Sequence, residues 1–107
     1  MASIELNPGS HTLTVPITML PTGQAGSAYV ELTSDAAGNN QIAVGTATNF
    51  TSTGAAQNIA MPINVPSGGG IYYVWIIVTE NGITVGAFPQ SSTITVGSVT
   101  VGQGAWS

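Results

Sequence analysis

Short runs of Val, Ile, Thr and Tyr alternate along this chain with clusters of Gly, Pro and Asn. The runs have the length of β-strands, and no segment shows a sustained helical period with capping residues. The 14 Gly and 6 Pro residues supply most of the interruptions. The pattern predicts an all-β protein with strands near residues 4–6, 12–20, 27–34, 41–49, 57–65, 71–80, 83–88 and 93–101.

The connections between these runs have the composition of turns. Pro, Gly, Asn, Asp and Ser cluster there as turn geometry requires, in residues 7–9, 21–23, 35–39 and 66–70. The strongest signal is Asn81-Gly82, because both central residues of a type I′ turn need positive φ and these two residue types tolerate it. We therefore expect a hairpin centred on this pair.

The spacing of the predicted strands favours a two-sheet sandwich of about seven to eight short, mostly antiparallel strands. A small closed barrel is the alternative. Pro16 and Pro62 interrupt strand-like runs, and because proline cannot donate to a ladder, we expect both at sheet edges or at breaks. No linker divides the chain, so residues 1–107 are expected to form one domain, with segments 1–11 and 98–107 as candidates for assembly contacts.

Every side chain from residue 71 to residue 78 is apolar or aromatic, so neither face of this strand is built for water. On alternating geometry Tyr73 and Trp75 share one face, and Tyr72 and Val74 share the other. One face must fill the core. The second is expected to be an interface covered by another subunit, unless a loop of the chain folds over it or the sandwich is flattened so that both faces are internal. The candidate interface residues are Tyr72, Tyr73, Trp75 and, as a C-terminal anchor, Trp106.

The charge balance excludes several classes of partner. The chain has no Lys or Arg and 4 acidic residues, which give a net charge of −4. Nucleic-acid binding and polybasic attachment to anionic membranes both depend on Lys and Arg, so we expect neither. The apolar run of eight residues is too short to span a bilayer as a helix, and we expect no direct membrane insertion.

Candidates for catalysis or metal binding are scarce. With no cysteine, disulfides and thiolate metal sites are ruled out, and His11 is the single imidazole. The adjacent Ser10 would point to the opposite face of a strand, so this pair predicts no catalytic site. Asp35 with Asn39 and Asn40 could supply oxygen ligands to Ca²⁺, but one carboxylate favours a solvated turn. We expect no catalytic residue, no metal site and no cofactor.

The order of four segments carries a resemblance to a known family. The segments read GSAYVEL at 26–32, QNIAMPI at 57–63, GGIYYVWI at 69–76 and TITV at 93–96. Together they resemble an immunoglobulin-like or fibronectin-like β-sandwich module, similar to adhesion modules of bacterial and archaeal surface proteins and to small decoration domains of phage particles. The likeness covers roughly residues 12–97 and lacks the cysteine pair of antibody domains. It implies a protein that binds, spaces or decorates.

The expected function is that of a non-catalytic structural subunit or decoration protein of an extracellular or viral assembly, located in a virion or at a cell surface. Expected partners are copies of the chain itself or a larger capsid, fibre or surface-layer protein. The uncharged repeat of Thr and Val at 93–101 is either an ordinary half-buried strand or an edge for strand addition. The alternative function is an adhesion or carbohydrate-binding module in which Tyr73 and Trp75 stack on a sugar.

Overall fold

The computed structural model describes residues 3–97 and 101–106. All regular secondary structure in this part of the chain is β, which confirms the predicted all-β class. The nine strands are β1 (Ser3–Leu6), β2 (Gly9–Ile17), β3 (Ala25–Thr33), β4 (Gln41–Val44), β5 (Thr48–Thr51), β6 (Gln57–Val65), β7 (Gly70–Glu80), β8 (Ile83–Pro89) and β9 (Thr93–Val96).

The described strands form two sheets. The large sheet has the order β1-β9-β7-β3-β4, with β5 also pairing β3 and β8 also pairing β7. The small sheet consists of β2 and β6, paired antiparallel along their full lengths. All pairings are antiparallel except that of β1 with β9. Pro16 and Pro62 both lie in the small sheet, where each strand is an edge, as predicted.

One hydrophobic core lies between the small sheet and the inner face of the large sheet. Alternate residues of β3, β6 and β7 point into it, which is the period of two that a strand imposes. In β7 the inner face carries Val74, Ile76 and Val78. The most deeply buried hydrophobic side chains of the core are Ala28, Val30, Leu32, Met61 and Ile76.

The predicted hairpin between β7 and β8 is present. Asn81 and Gly82 have φ values of 52° and 81°, so both central positions of the turn have the positive φ that a type I′ turn needs. The Asn81 backbone amide donates to the Ala25 carbonyl at 2.7 Å, and its side-chain amide donates to Gln24 Oε1 at 2.6 Å. The turn is thus fixed by its own residues and by the start of β3.

Three predicted strand boundaries are wrong. The run predicted at 41–49 is two strands, β4 and β5, which pair with different parts of β3. The strand predicted at 12–20 begins at Gly9 and ends at Ile17. The strand predicted at 93–101 ends at Val96; Val101 is not in a strand, and residues 98–100 lie outside the described part of the chain.

The segment between β4 and β5 closes one side of the sandwich. Thr48 Oγ1 donates to the Ala60 carbonyl of β6 at 2.7 Å. A Cβ atom added at Gly45 would collide with the Pro62 carbonyl of the same strand, so only glycine allows this close approach. Strands β4 and β5 therefore lie against β6 and bring the two sheets together on this side.

Candidate functional site

The two strands of the small sheet are buried to different degrees. In β6 the inward-facing side chains Ile59, Met61 and Ile63 are 5, 0 and 7 % exposed. Their direct partners across the ladder in β2 are only half-buried: Val15, Leu13 and His11. Paired residues point to the same face of a sheet, so these β2 side chains face the core side as their β6 partners do. Because they are only half-buried, β2 lies at the edge of the core.

That inner face borders a groove, called here the β2–β8 groove. Two cavities of about 250 and 420 Å³ follow one another along β2 and share Gln90 in their walls. The first includes residues of β1 and β9, and the second includes residues of β8. The walls are mostly aliphatic or aromatic and include Leu6, Leu13, Val15, Val85, Phe88 and Ile94.

The side chains of β8 that line the groove are open to solvent. Phe88 is the ladder partner of the core residue Ile76 and is 51 % exposed. Val85 lies at the register shift between β7 and β8 and is 56 % exposed. A large aromatic ring on the inner face of a sandwich is normally covered by the opposite sheet. Here the small sheet ends at β2 and leaves this part of the large sheet uncovered.

Two strand edges border the groove. Strand β2 pairs with β6 on one side, and β8 pairs with β7 on one side. Within residues 3–97 and 101–106, no strand pairs with the other edge of either one. Unpaired edges beside an apolar groove can accept a strand from another chain, through backbone hydrogen bonds and inserted side chains.

The C-terminal segment at 101–106 makes little contact with the sandwich. Val101 is 86 % exposed and Trp106 is 102 % exposed. The candidate anchor residue Trp106 therefore lies in an exposed segment that packs little against the two sheets.

The predicted candidates on β7 lie on opposite faces. Tyr72 is on the inner face, packed against the core, and its hydroxyl donates to the Gly69 carbonyl at 3.3 Å. Tyr73 and Trp75 are half-buried on the outer face of the large sheet. The structure thus places the two aromatic candidates of the outer face together and separates Tyr72 from them.

A loop of the same chain packs over part of the outer face. The Trp75 indole N–H donates to Thr33 Oγ1 at 3.0 Å, and that hydroxyl donates to the Asp35 carbonyl at 2.8 Å. Gly38 has φ +78°, and a Cβ atom there would lie 2.9 Å from Cζ2 of the Trp75 ring. The loop at 34–40 therefore rests on Trp75, which leaves Tyr73 and Ile71 as the more open part of this face.

The Asp35 carboxylate fixes the shape of this loop. Its Oδ1 accepts the Asn40 backbone amide at 2.9 Å, and its Oδ2 accepts the Asn39 amide at 3.1 Å. These hydrogen bonds, led by that from Asn40, hold the pKa of Asp35 below its ordinary value against a smaller opposing effect of burial. Both carboxylate oxygens are thus engaged by the loop's own backbone, as in the solvated turn that the sequence favours.

The ionisable side chains are dispersed over the fold. His11 lies on the inner side of β2, where its Nε2–H donates to the Asn7 carbonyl at 2.7 Å. Glu31 lies on the outer face of the large sheet, opposite Trp75 in the ladder. Among the described residues, no group of three or more His, Cys, Asp or Glu side chains is placed to hold a metal ion. Within residues 3–97 and 101–106, the hydrogen-bond partner of the His11 ring is the Asn7 backbone carbonyl, and no acidic side chain bonds to it.

The groove residues of β2 and β8 were not predicted from the sequence. Leu13, Val15 and Ile17 alternate with Thr and Pro, which predicts a half-buried strand correctly. Alternation shows which face is apolar and leaves undetermined whether another strand covers it. Phe88 carries the clearest signal: it is a large aromatic residue at the end of a predicted hairpin strand, and only the long-range topology shows that it is uncovered.

Comparison with known proteins identifies no family. No protein-family model matches this chain, and neither the curated proteins nor the solved structures contain a significant match. In the described part of the chain, no helix has the length and hydropathy needed to cross a membrane. The groove, the strand edges and the surface chemistry are therefore the observations that bear on function.

Proposed function

We propose that this protein is a non-catalytic structural subunit or decoration protein of an extracellular or viral assembly, held together by apolar and strand-edge contacts. The single observation that carries the proposal is the β2–β8 groove, an apolar channel bordered by two unpaired strand edges. An apolar surface of this kind on a chain with few charges favours association with another protein surface.

Burial can supply the free energy for such an assembly, whereas ion pairs within a homo-oligomer cannot, since the chain has 4 acidic residues and no Lys or Arg. Covering ~400 Å² of apolar surface per subunit contributes about 10 kcal/mol at roughly 25 cal/mol/Å². The entropy lost on association cancels much of this gain. Contacts from each subunit to more than one neighbour therefore make a durable shell or fibre.

The strand arrangement supports kinship with immunoglobulin-like modules, which mostly bind, space or decorate. In such a module strands B and E share one sheet, and strands C, F and G share the other. Here β2 pairs β6, while β3 pairs β7 and β7 pairs the consecutive strands β8 and β9. On this comparison β2 corresponds to strand B. The immunoglobulin sheet also has a strand A, and the described residues show none beside β2.

A matched pair of substitutions tests the proposed function. Val15→Asp places a charge in the groove, and Thr14→Asp places the same charge on the exposed face of the same strand. The mass of each protein is measured by light scattering across a concentration series. We expect the wild type and Thr14→Asp to form particles larger than the 10.7 kDa chain and Val15→Asp to remain smaller. A wild type that is monomeric at every concentration and bound to no larger particle contradicts the proposal.

The outer face favours one second candidate, a carbohydrate-binding module. Tyr29, Glu31 and Tyr73 are half-exposed there on neighbouring strands, and aromatic rings beside a carboxylate suit sugar stacking and hydrogen bonding. Trp75 is less available, because the loop at 34–40 rests on its ring. Binding to a polysaccharide array that is lost in Tyr73→Ser and kept in Val15→Asp identifies this function.

A further inference from the structure

We propose that the β2–β8 groove of one copy receives the C-terminal segment 99–106 of a second copy, which adds to β2 as a strand. This inference rests on the proposed function and names the partner that occupies the groove. The occupant is a segment of the same chain, so the assembly needs no second protein. Three properties of the segment carry the inference: its length, its chemistry and the place where it leaves the sandwich.

The length of the segment matches the length of the groove. Strand β2 has nine residues and therefore spans ~30 Å. The eight residues from 99 to 106 span ~26 Å when extended. An added strand of this length covers the half-buried inner face of β2 from one end to the other. It also reaches over both cavities, since these follow one another along the same strand.

The segment reads VTVGQGAW and contains no ionisable side chain. Its Val, Ala and Trp side chains match the aliphatic and aromatic walls of the groove. Where the segment is described, at 101–106, its apolar side chains are exposed: Val101 by 86 % and Trp106 by 102 %. Seating them in the groove removes apolar surface from water on both partners at once. The glycines at 102 and 104 let the backbone lie close to a neighbouring strand.

The place of exit favours a second copy over the same chain. Gly97 donates its amide to the Leu6 carbonyl at 3.0 Å, so the chain leaves β9 beside the turn that leads from β1 into β2. The groove runs back from this end along β2, and the exposed segment at 101–106 does not line it. To enter the groove of its own molecule, the chain would have to reverse its direction after β9. It can enter the far end of the next molecule's groove without such a reversal.

The contact that results is heterologous, because the segment of one copy meets the groove of the next. Such contacts repeat head to tail and build either a closed ring or an open filament. Each inner copy both donates its segment and accepts another, which gives the two contacts per subunit that a fibre needs. The donor strand runs antiparallel to β2, since it keeps the direction of β9 and enters beside the end of β2 at Ile17.

Because the chain has no cysteine, introduced single cysteines report the contact without background. One set carries a cysteine in the segment, as Gln103→Cys or Gly104→Cys, which samples both faces of the added strand. The other set carries a cysteine on the exposed side of β2, as Thr12→Cys or Thr14→Cys. The matched control is Thr46→Cys, an exposed threonine on the closed side of the sandwich. Segment and acceptor variants are mixed in denaturant, refolded together and oxidised.

We expect disulfide-linked heterodimers between a segment variant and a β2 variant. Because a seated strand raises the effective concentration of the two thiols, their yield exceeds that of the Thr46→Cys control by ~tenfold or more. If the wild type assembles but the β2 variants give no more disulfide-linked heterodimer than the Thr46→Cys control, this inference is overturned and the proposed function stands. A wild type that never assembles overturns the proposed function itself.

Folding of the segment into its own groove is detected with the double variant Thr14→Cys/Gly104→Cys. An oxidised product that migrates as a monomer, even at high protein concentration, shows a contact within one chain and overturns the inference. Oxidised products that form a ladder of multimers support it. As an independent check, Val101→Asp/Trp106→Ser changes only exposed side chains of the segment and is expected to abolish assembly while leaving the fold unchanged.

Discussion

The two strands of the small sheet have the same alternating pattern and opposite surroundings. Strand β6 lies against β3, β4 and β5, and its inward side chains are almost completely buried. Among the described strands, β2 pairs with β6 alone, and the β2 partners of those same side chains are half-buried. The difference lies in what covers the outer edge: the β4–β5 segment approaches β6, and no described strand lies beside β2.

A sequence pattern can thus predict a strand correctly although the described chain covers the apolar face of that strand only in part. Apolar residues alternate in β2 as they do in β6. This pattern is typical of a strand whose apolar face is covered, so we expect a neighbour beside each of the two strands. On the side of β6 the chain provides that neighbour itself. On the side of β2 we propose that another copy provides it. Four experiments break or sharpen this contrast.

The largest effect is expected at the facing pair Met61 and Leu13. Met61→Ala empties a fully buried site and is expected to lower the free energy of unfolding by about 2–5 kcal/mol. Leu13→Ala removes a half-buried side chain and is expected to lower it by only about 1–2 kcal/mol. Urea unfolding is measured in the Val101→Asp/Trp106→Ser background, in which we expect the protein to be monomeric. Equal losses at the two positions would show that β2 is not exposed in the monomer.

The closed side of the sandwich is expected to open in Gly45→Ala. The new Cβ atom meets the Pro62 carbonyl, and a backbone group cannot move aside without shifting β6. We expect a loss of about 1–3 kcal/mol in the free energy of unfolding, as for other overpacked sites. Gly97→Ala is the control, because its Cβ atom lies 3.9 Å from the Leu6 carbonyl oxygen, an ordinary contact. Similar losses of unfolding free energy in both variants would show that the close contact between Gly45 and the Pro62 carbonyl is not important for stability.

A smaller effect is expected when the hydrogen bond between the β5 side and β6 is removed. Thr48→Val keeps the shape of the side chain and deletes the hydroxyl that donates to the Ala60 carbonyl. The expected loss is about 1 kcal/mol, the usual net value of one hydrogen bond. Thr46→Val, at an exposed position in the same segment, is expected to stay within ~0.5 kcal/mol of the wild type. Thermal unfolding monitored by circular dichroism measures both.

The smallest effect is expected at Asp35, whose loop covers Trp75 on the outer face. The pKa of this carboxyl is lowered in the folded protein, so its contribution to stability is present above its ordinary pKa and is lost as the pH falls through the folded value. Asp35→Asn is expected to remove that acid dependence and to shift Trp75 fluorescence at neutral pH. An unchanged acid profile and emission would show that the carboxylate does not hold the loop.

Local signals in the sequence were enough for much of the fold. Asn81-Gly82 predicts its hairpin because the requirement for positive φ is a property of those two residues. Alternation separates Tyr72 from Tyr73 on β7 and leaves open which of them faces the core. The close approach of Gly45 to β6 escaped prediction because it involves the carbonyl of Pro62, which lies seventeen residues along the chain.

The candidate site was less predictable than the fold for the same reason. An exposed Phe88 and a half-buried Val15 follow from the absence of a neighbouring strand among the described residues, which is a property of the topology. The parallel pairing of β1 with β9 has no local signal either, and it places β1 in the large sheet instead of beside β2. The covering of Trp75 by the loop at 34–40 was foreseen only as one of three alternatives, beside an interface and a flattened sandwich.

Amide hydrogen exchange along β2 and β6 tests the central claim most directly, because an added strand protects the backbone that it pairs with. The wild-type assembly is compared with the monomeric Val101→Asp/Trp106→Ser variant. We predict that the β2 amides exchange much more slowly in the assembly than in the variant, while the β6 amides exchange alike in both. Equal exchange of the β2 amides in an assembled wild type and in the variant would contradict the claim that another copy completes this edge.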